Sequence, residues 1–331
     1  MTIEHLHPGI ARIRLPMFGK KPGPVNVYLF WGCGNVTLVD TGTCLTVRRL
    51  KKEMVRLGLT FADITHIVLT HGHMDHQGGV RTIAKHCGEQ LAVCAHRDEI
   101  EAIQAGGDAP LKAYRRFLGL TGTPAPLRLA ILVMLFWSQR LTRACRVNHS
   151  LENGDRLKLG DYEAIVVATP GHTRGSISLF LPEEKVLFPG DHILGHITPN
   201  ALPMLESSAP LPVRRSQAEY YKSLEVIAAL DPEIIYPAHG AQIRDFHAIH
   251  RRYRKWFRQR QSQLVDIVKR SAGLSVYEIA RRLFPGLIGG AFVLDLYLAI
   301  SEAYTHLQVL EAEQCIRMEV QEKVLRVSVS R

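Results

Sequence analysis

The chain has 331 residues, of which 46% are hydrophobic and 22% charged, with a formal net charge of +10 and six cysteines. Such a composition belongs to a globular protein long enough to bury a core without disulfide staples, and it excludes disordered, collagen-like and small disulfide-knot classes. The longest apolar run, Leu129 to Trp137, falls far short of the roughly 20 residues that cross a bilayer. Met1 to His5 offers no basic segment leading into an apolar one, and Cys33, Cys44, Cys87, Cys94, Cys145 and Cys315 form no CxxC pair. The reading is a cytoplasmic protein with reduced thiols.

Alternating apolar residues predict strands over 10–15, 25–30 and 35–40, the last punctuated by Asp40-Thr41-Gly42. Leu45, Leu50, Met54 and Leu57 have helical spacing. Residues 64–70 read as a buried strand that runs directly into His71-Gly72-His73-Met74-Asp75-His76. A helix and a strand follow to about residue 95. The stretch 97–146 breaks this rhythm and reads as a helical insertion interrupted between Gly119 and Pro126. Strands resume over 155–159, 164–169, 176–181 and 186–189. A helix over 214–230 then leads to the strand at Ile234-Ile235-Tyr236. A long basic helix is predicted over 243–271, then helices over 275–284 and 290–313 and a hairpin from Cys315 to Ser328. Strands alternating with helices across 1–240 indicate a layered α/β architecture.

His71, His73, Asp75 and His76 lie within six residues at the end of an apolar strand. Imidazole and carboxylate donors at this density suit Zn²⁺, Fe or Mn, and α/β folds place their chemistry at strand ends. A lone histidine would read as a solvated loop residue; four donor side chains together do not. Three further donors each follow an apolar strand and a Pro or Gly turn: His172 in Thr-Pro-Gly-His, Asp191 in Phe-Pro-Gly-Asp, and His239 in Tyr-Pro-Ala-His. The total is five histidines and two aspartates, enough for two metal ions.

These residues resemble the HxHxDH motif and its ordered partners in the metallo-β-lactamase superfamily. The likeness is nearest to the dinuclear branch of glyoxalase II-like thioesterases, acyl homoserine lactonases and endoribonucleases. It covers residues 8–245 and implies an αβ/βα sandwich. It also implies one ion on His71, His73 and His172, a second on Asp75, His76 and His239, and Asp191 bridging both. Zn²⁺ is the first choice for the two divalent ions, with Fe or Mn accepted by the same donors. Asp40 matches the family's early buried aspartate and is expected to orient a ligand. In such a site a water between two ions about 3.5–4 Å apart would lose its proton to solvent near neutral pH and serve as the nucleophile. The residues assigned to catalysis are Asp75, Asp191 and His192. For His192, proton donation to a leaving group stands beside a plain packed imidazole, and His196 and Asn200 are candidates for the mouth of the site. Bacterial β-lactamases of this family often carry Cys at the bridge position, so Asp191 argues against β-lactam hydrolysis as the main activity.

The charge excess sits in two places. Residues 111–146 hold seven Arg/Lys and no acid, and residues 241–262 hold seven against one, Asp245. The insertion is read as an acyl pocket or lid with cations for an anionic carrier, against dimerisation or contact with a membrane surface. The basic helix carries Tyr253, Trp256 and Phe257; single-stranded RNA binding competes there with a solvated face on an apolar back. The tail resembles the winged-helix domain that follows the catalytic fold in part of the superfamily. Yet no Lys or Arg occurs from Leu283 to Ile316, and Asp295, Glu302, Glu311 and Glu313 do. Duplex DNA binding is therefore not expected, and a docking or lid role is.

The expected organisation is a catalytic domain over 1–245, with its insertion at about 97–146, a basic linker helix over 246–262, and a winged-helix-like domain over 263–331. The expected function is dinuclear metal-dependent hydrolysis of a thioester or ester, with a small acyl substrate on an anionic carrier and a homodimer as a reasonable assembly. The alternatives are an endoribonuclease acting on single-stranded RNA and a catalytically silent binding protein.

Overall fold

The computed structural model describes residues 2–17, 22–107, 109–206, 209, 211–287 and 293–330. Phe292, within the tail helix expected from the sequence, lies outside them. In chain order the elements begin β1 (Ile3–His7), β2 (Ile10–Leu15), β3 (Val25–Gly32), β4 (Asn35–Val39), α1 (Val47–Arg56), β5 (His66–Val68), α2 (Met74–Gln77), α3 (Val80–Ile83) and β6 (Ala92–His96). The insertion holds α4 (Arg97–Ala105), α5 (Leu111–Leu120) and α6 (Ala125–Thr142). Then come β7 (His149–Leu151), β8 (Arg156–Leu159), β9 (Tyr162–Ala168), β10 (Ile177–Leu181), β11 (Val186–Phe188), α7 (Ser216–Leu230) and β12 (Ile234–Ile235). The chain ends in α8 (Phe246–Arg270), β13 (Leu274–Ser275), α9 (Val276–Leu283), α10 (Val293–Ala312), β14 (Ile316–Gln321) and β15 (Val324–Val329).

Two compact units result. The first comprises Met1–Asp108, Ser138–Pro199 and Ser223–His247. The second comprises Ala109–Trp137, Asn200–Lys222 and Ala248–Arg331. This partition differs from the linear division expected from the sequence: α5 and most of α6 group with the C-terminal segments. The reason is burial. Tyr114, Phe117, Leu118, Ile131 and Leu135 share one apolar cluster with Leu264, Ile279, Tyr304, Leu307 and Val327.

The first unit contains two sheets, one of seven strands in the order β1 to β7 and one of five in the order β12-β11-β10-β9-β8. Strands β1 to β4 pair antiparallel; β4 to β7 pair parallel, as crossover connections through helices require. The pleat distributes β3 between two cores. Val25, Val27 and Leu29 face one cluster with Leu50, Met54 and Ile83, whereas Tyr28 and Phe30 face another with Val166, Leu179 and Phe188 of the second sheet. A strand buried on both faces reads as a continuous apolar run, which is why β3 is visible in the sequence. The architecture is the expected α/β sandwich. Strands β1 and β7 lie outside the strands that the sequence predicts: β1 is half-exposed with Glu4 and His5 in its middle, and β7 is only three residues long.

The second unit packs α5, α6, α8, α9 and α10 around one apolar cluster with a three-stranded sheet in the order β13-β15-β14. Ser275 caps α9 reciprocally with Glu278. The run Leu129–Trp137 proves amphipathic: Ile131 and Leu135 are buried, whereas Leu129, Val133, Phe136 and Trp137 are exposed.

Phe30 is fully buried and packs edge-on to Phe188 at 5.2 Å between ring centroids. Phe30→Ala is expected to cost about 3–5 kcal/mol in urea unfolding. A loss below about 1 kcal/mol would contradict the two-sheet core described here.

Candidate metal centre

The donors stand on loops that leave the ends of core strands. After β5 the chain turns through His71 and His73, and His73 is the extended residue before α2. That helix is a single turn, which sets Asp75 and His76 side by side and buried. His172 follows β9, Asp191 follows β11, and His239 follows β12. Gly190 has φ +55, and a Cβ there would stand 2.8 Å from the Thr70 side chain. Glycine is thus required immediately before Asp191, because the backbone must pass that close to the His71 strand end.

All seven expected donors converge. His71, His73 and His172 form one group, Asp75, His76 and His239 a second, and Asp191 joins His71 and His76 in a third; in each, the donor atoms lie within 4.8 Å of one another. His73 Nδ1 lies 2.9 Å from His71 Nε2 and 3.1 Å from His172 Nε2. On the other side, His239 Nε2 lies 3.3 Å from Asp75 Oδ2 and 3.5 Å from Asp191 Oδ1. Asp191 spans the two groups: its Oδ2 is 3.7 Å from His172 Nε2 and its Oδ1 is 3.6 Å from His76 Nε2.

Surrounding residues fix the direction of each ring. Asp40 has φ +60, an uncommon conformation for a non-glycine residue. One of its carboxylate oxygens accepts from the Thr70 backbone N–H at 2.9 Å. The other accepts from the Thr70 hydroxyl at 2.8 Å and lies 2.8 Å from His76 Nδ1. His76 Nε2 is thereby turned toward the centre, the orienting role expected for Asp40. His239 Nδ1 lies 3.2 and 3.1 Å from the carbonyls of Gly23 and Pro24. Carbonyls only accept, so Nδ1 carries a proton and Nε2 is the nitrogen that faces the cluster.

Two supports carry no signal in the sequence. Buried Glu99 of α4 accepts from Gly72 N–H at 2.9 Å, from Gly175 N–H at 2.7 Å and from the Thr173 hydroxyl at 3.0 Å, tying the His73 turn to the His172 turn. Asn26 and Tyr28 donate to the Pro237 carbonyl at 2.8 and 2.7 Å and so hold the His239 turn. A carboxylate in the second position after Arg97 looks like an ordinary helix-start residue, so no local pattern marks Glu99.

Electrostatics show what the cluster wants. Burial opposes the charged form of His76, yet Asp40, Asp75 and Asp191 raise its pKa well above the usual range. Burial likewise opposes a charged His239, which Asp191 and Asp75 raise. Asp75 would be raised by burial, but His76 and His239 draw it down to about 2. His71 moves the other way, lowered by burial and by the surrounding imidazoles. The carboxylates thus demand cations, and His76 Nε2, His239 Nε2 and Asp191 Oδ1 are buried with no hydrogen-bond partner. Buried polar atoms left in that state are costly. Divalent metal ions would satisfy all three, and the donor set fits them.

The other site candidates separate. His192 is buried beside Asp191, and burial pushes its imidazole down to about 3, so the ring is neutral at pH 7. His196 packs on Gly240 next to His239, with its Nε2 2.8 Å from the Pro22 carbonyl. Asn200 belongs to the second unit, where it donates to the Leu298 carbonyl at 3.5 Å.

The family model of the metallo-β-lactamase superfamily matches residues 21–239, which hold all seven donors. The chain belongs to that superfamily. It is 27% identical to the probable metallo-hydrolase YqjP of Bacillus subtilis (strain 168), over 89% of this chain and 90% of that protein. It is 30% identical to the human acyl-coenzyme A thioesterase MBLAC2, over 53% of this chain and 60% of that one. Among solved structures, a metallo-β-lactamase family protein of Thermus thermophilus superposes with a TM-score of 0.84 at 24% identity, covering 98% of this chain and 100% of that one. A β-lactamase domain protein of Burkholderia ambifaria gives 0.81 at 20% identity, covering 99% and 93%. Both likenesses concern the fold. The protein is a metal-dependent hydrolase of this superfamily.

Asp191→Ala is expected to lower the metal bound per chain and to abolish hydrolysis. Metal counting by plasma mass spectrometry checks this, and full occupancy with full activity would refute a bridging role. Because His76 and His239 hold their protons more tightly than ordinary histidines, metal must displace those protons, so affinity falls as pH falls. Competition against a chromophoric chelator should show a loss of about tenfold or more between roughly pH 8 and pH 6. An affinity independent of pH would contradict it.

Proposed function

We propose that His71, His73 and His172 hold one divalent ion, that Asp75, His76 and His239 hold a second, and that Asp191 bridges them, with Zn²⁺ as the first candidate metal. We further propose that the protein hydrolyses a carboxylic thioester or ester of the acyl-thioester or lactone class. When bound, the ions supply an activated water and polarise the substrate carbonyl. The chain's own residues do the positioning. Asp40 and the Gly23 and Pro24 carbonyls fix the His76 and His239 rings, and Glu99 keeps the His73 and His172 turns in register. Burial holds His192 beside Asp191 neutral at pH 7, which favours the packed-imidazole reading over proton donation.

The observation that carries the reading is the placement of Asp191 between two complete donor groups. The thioester substrate draws its support from the likeness to the acyl-coenzyme A thioesterase, which spans about half of this chain. The RNA reading gains less from the structure. Tyr253 and Phe257 are buried within the second unit, and Arg260 is occupied by Glu302 at 2.7 Å. Of the three aromatics on α8 weighed for base stacking, Trp256 alone is exposed. The solvated-face reading of the basic helix is therefore preferred. We read residues 263–331 as a docking element, and cytoplasmic residence and homodimerisation as parts of the same proposal.

Metal-loaded protein should release thiol from an acyl-coenzyme A thioester and leave a single-stranded RNA oligomer intact, and a chelator should abolish the release. RNA cleavage alone, falling steeply with salt, would replace the thioesterase reading with the nuclease one.

A further inference from the structure

A second site lies in the first unit, outside the metal cluster. Arg81, Thr82, Lys85, Arg140 and Arg143 line an open cavity of about 360 Å³. Four of the five lining residues are cationic and none is acidic. They come from two elements far apart in sequence, α3 with the turn after it and the C-terminal end of α6. Like charges brought together this way repel, so a lining of this sign points to an anionic occupant.

The placement is built into the backbone. Arg143 closes α6 with φ +56, a left-handed conformation usually left to glycine at a helix end. The segment that carries it is seated on a pair of glycines: a Cβ on Gly107 would stand 2.7 Å from Gln139, and one on Gly106 would stand 3.2 Å from the Ala144 backbone. Larger residues there would lift the α6 end away. The Ser138 hydroxyl also lies 3.7 Å from Met74 Sδ, so the α6 end touches the turn that carries Asp75. Arg81 follows Asp75 by six residues, α2 leading directly through Gly78 and Gly79 into α3. The cavity and the donor turn thus share the short segment from Met74 to Lys85 and the α6 end.

We propose that this cavity binds the phosphate groups of a phosphorylated thiol carrier whose thioester is presented to the metal centre. The inference rests on the thioesterase reading given above and adds a location and a chemistry for the carrier. Guanidinium forks pair two oxygens of a phosphate at once, and three of them with one ammonium suit a polyphosphorylated group better than a single carboxylate.

The test uses the metal-loaded full chain, wild type, Arg140→Gln/Arg143→Gln and Arg81→Gln/Lys85→Gln. All four side chains are exposed, so both double variants are expected to fold. One acyl group is supplied as its coenzyme A thioester and as its N-acetylcysteamine thioester, which lacks phosphates. The inference predicts that the preference for the coenzyme A substrate collapses by about tenfold or more in each double variant, through KM rather than kcat. An unchanged preference, or an equal loss on both substrates, overturns it. Calorimetric titration with free coenzyme A keeps the two readings distinguishable. If wild type hydrolyses neither thioester, the thioesterase reading falls. Binding of coenzyme A that weakens with each double variant would still support the cavity, and no binding to wild type would overturn it. Vesicles containing phosphatidylglycerol and a single-stranded RNA oligomer are titrated in parallel. Tighter binding of either than of coenzyme A overturns the carrier assignment.

Discussion

The first unit is organised around a buried demand for positive charge. Asp40, Asp75 and Asp191 are buried together, and His76 Nε2 and His239 Nε2, which face Asp75 and Asp191, have no hydrogen-bond partner. Without a cation, proton uptake is the compensation open to this cluster, which is why His76 and His239 are raised while His71, set among imidazoles, is lowered. The two divalent ions proposed for this site would resolve these conflicts at once. Under that proposal the arrangement costs folding free energy without the ions and returns it on binding, which couples metal content to stability.

Holding such a cluster requires rigid strand ends and polar ties between turns. The two sheets provide the first through cores on both faces of β3, with Phe30 and Phe188 at their interface. The second comes from a few side chains that stand behind the donors. Glu99 links the His73 turn to the His172 turn, Asn26 and Tyr28 hold the His239 turn, and Asp40 ties Thr70 to His76. Each accepts from or donates to backbone, so the geometry depends on where the chain runs as much as on further side-chain pairs.

The donors are legible in the sequence because strand, turn and ligand are contiguous: an apolar run announces the strand, Pro or Gly the turn, and His or Asp the ligand. Asp40 is legible through its match to the early buried aspartate of the superfamily. Glu99, Asn26 and Tyr28 are not, because their partners lie 27 to 214 residues away and nothing local marks them. The division of the chain is also hidden. Helical periodicity locates α5 and α6 within the insertion, but only the three-dimensional packing of Phe117 and Ile131 with Tyr304 and Val327 shows which core they join. The charge of the insertion is countable from composition, whereas the convergence of Arg140 and Arg143 with Arg81 and Lys85 requires the fold.

The claim on which the rest stands is that seven side chains surround two ions with Asp191 between them. Anomalous diffraction from crystals of the metal-loaded protein, collected on both sides of the zinc edge, tests it directly. The account predicts two peaks about 3.5–4 Å apart, one among His71, His73 and His172, the other among Asp75, His76 and His239. A single peak, or a pair that Asp191 does not touch, would contradict it.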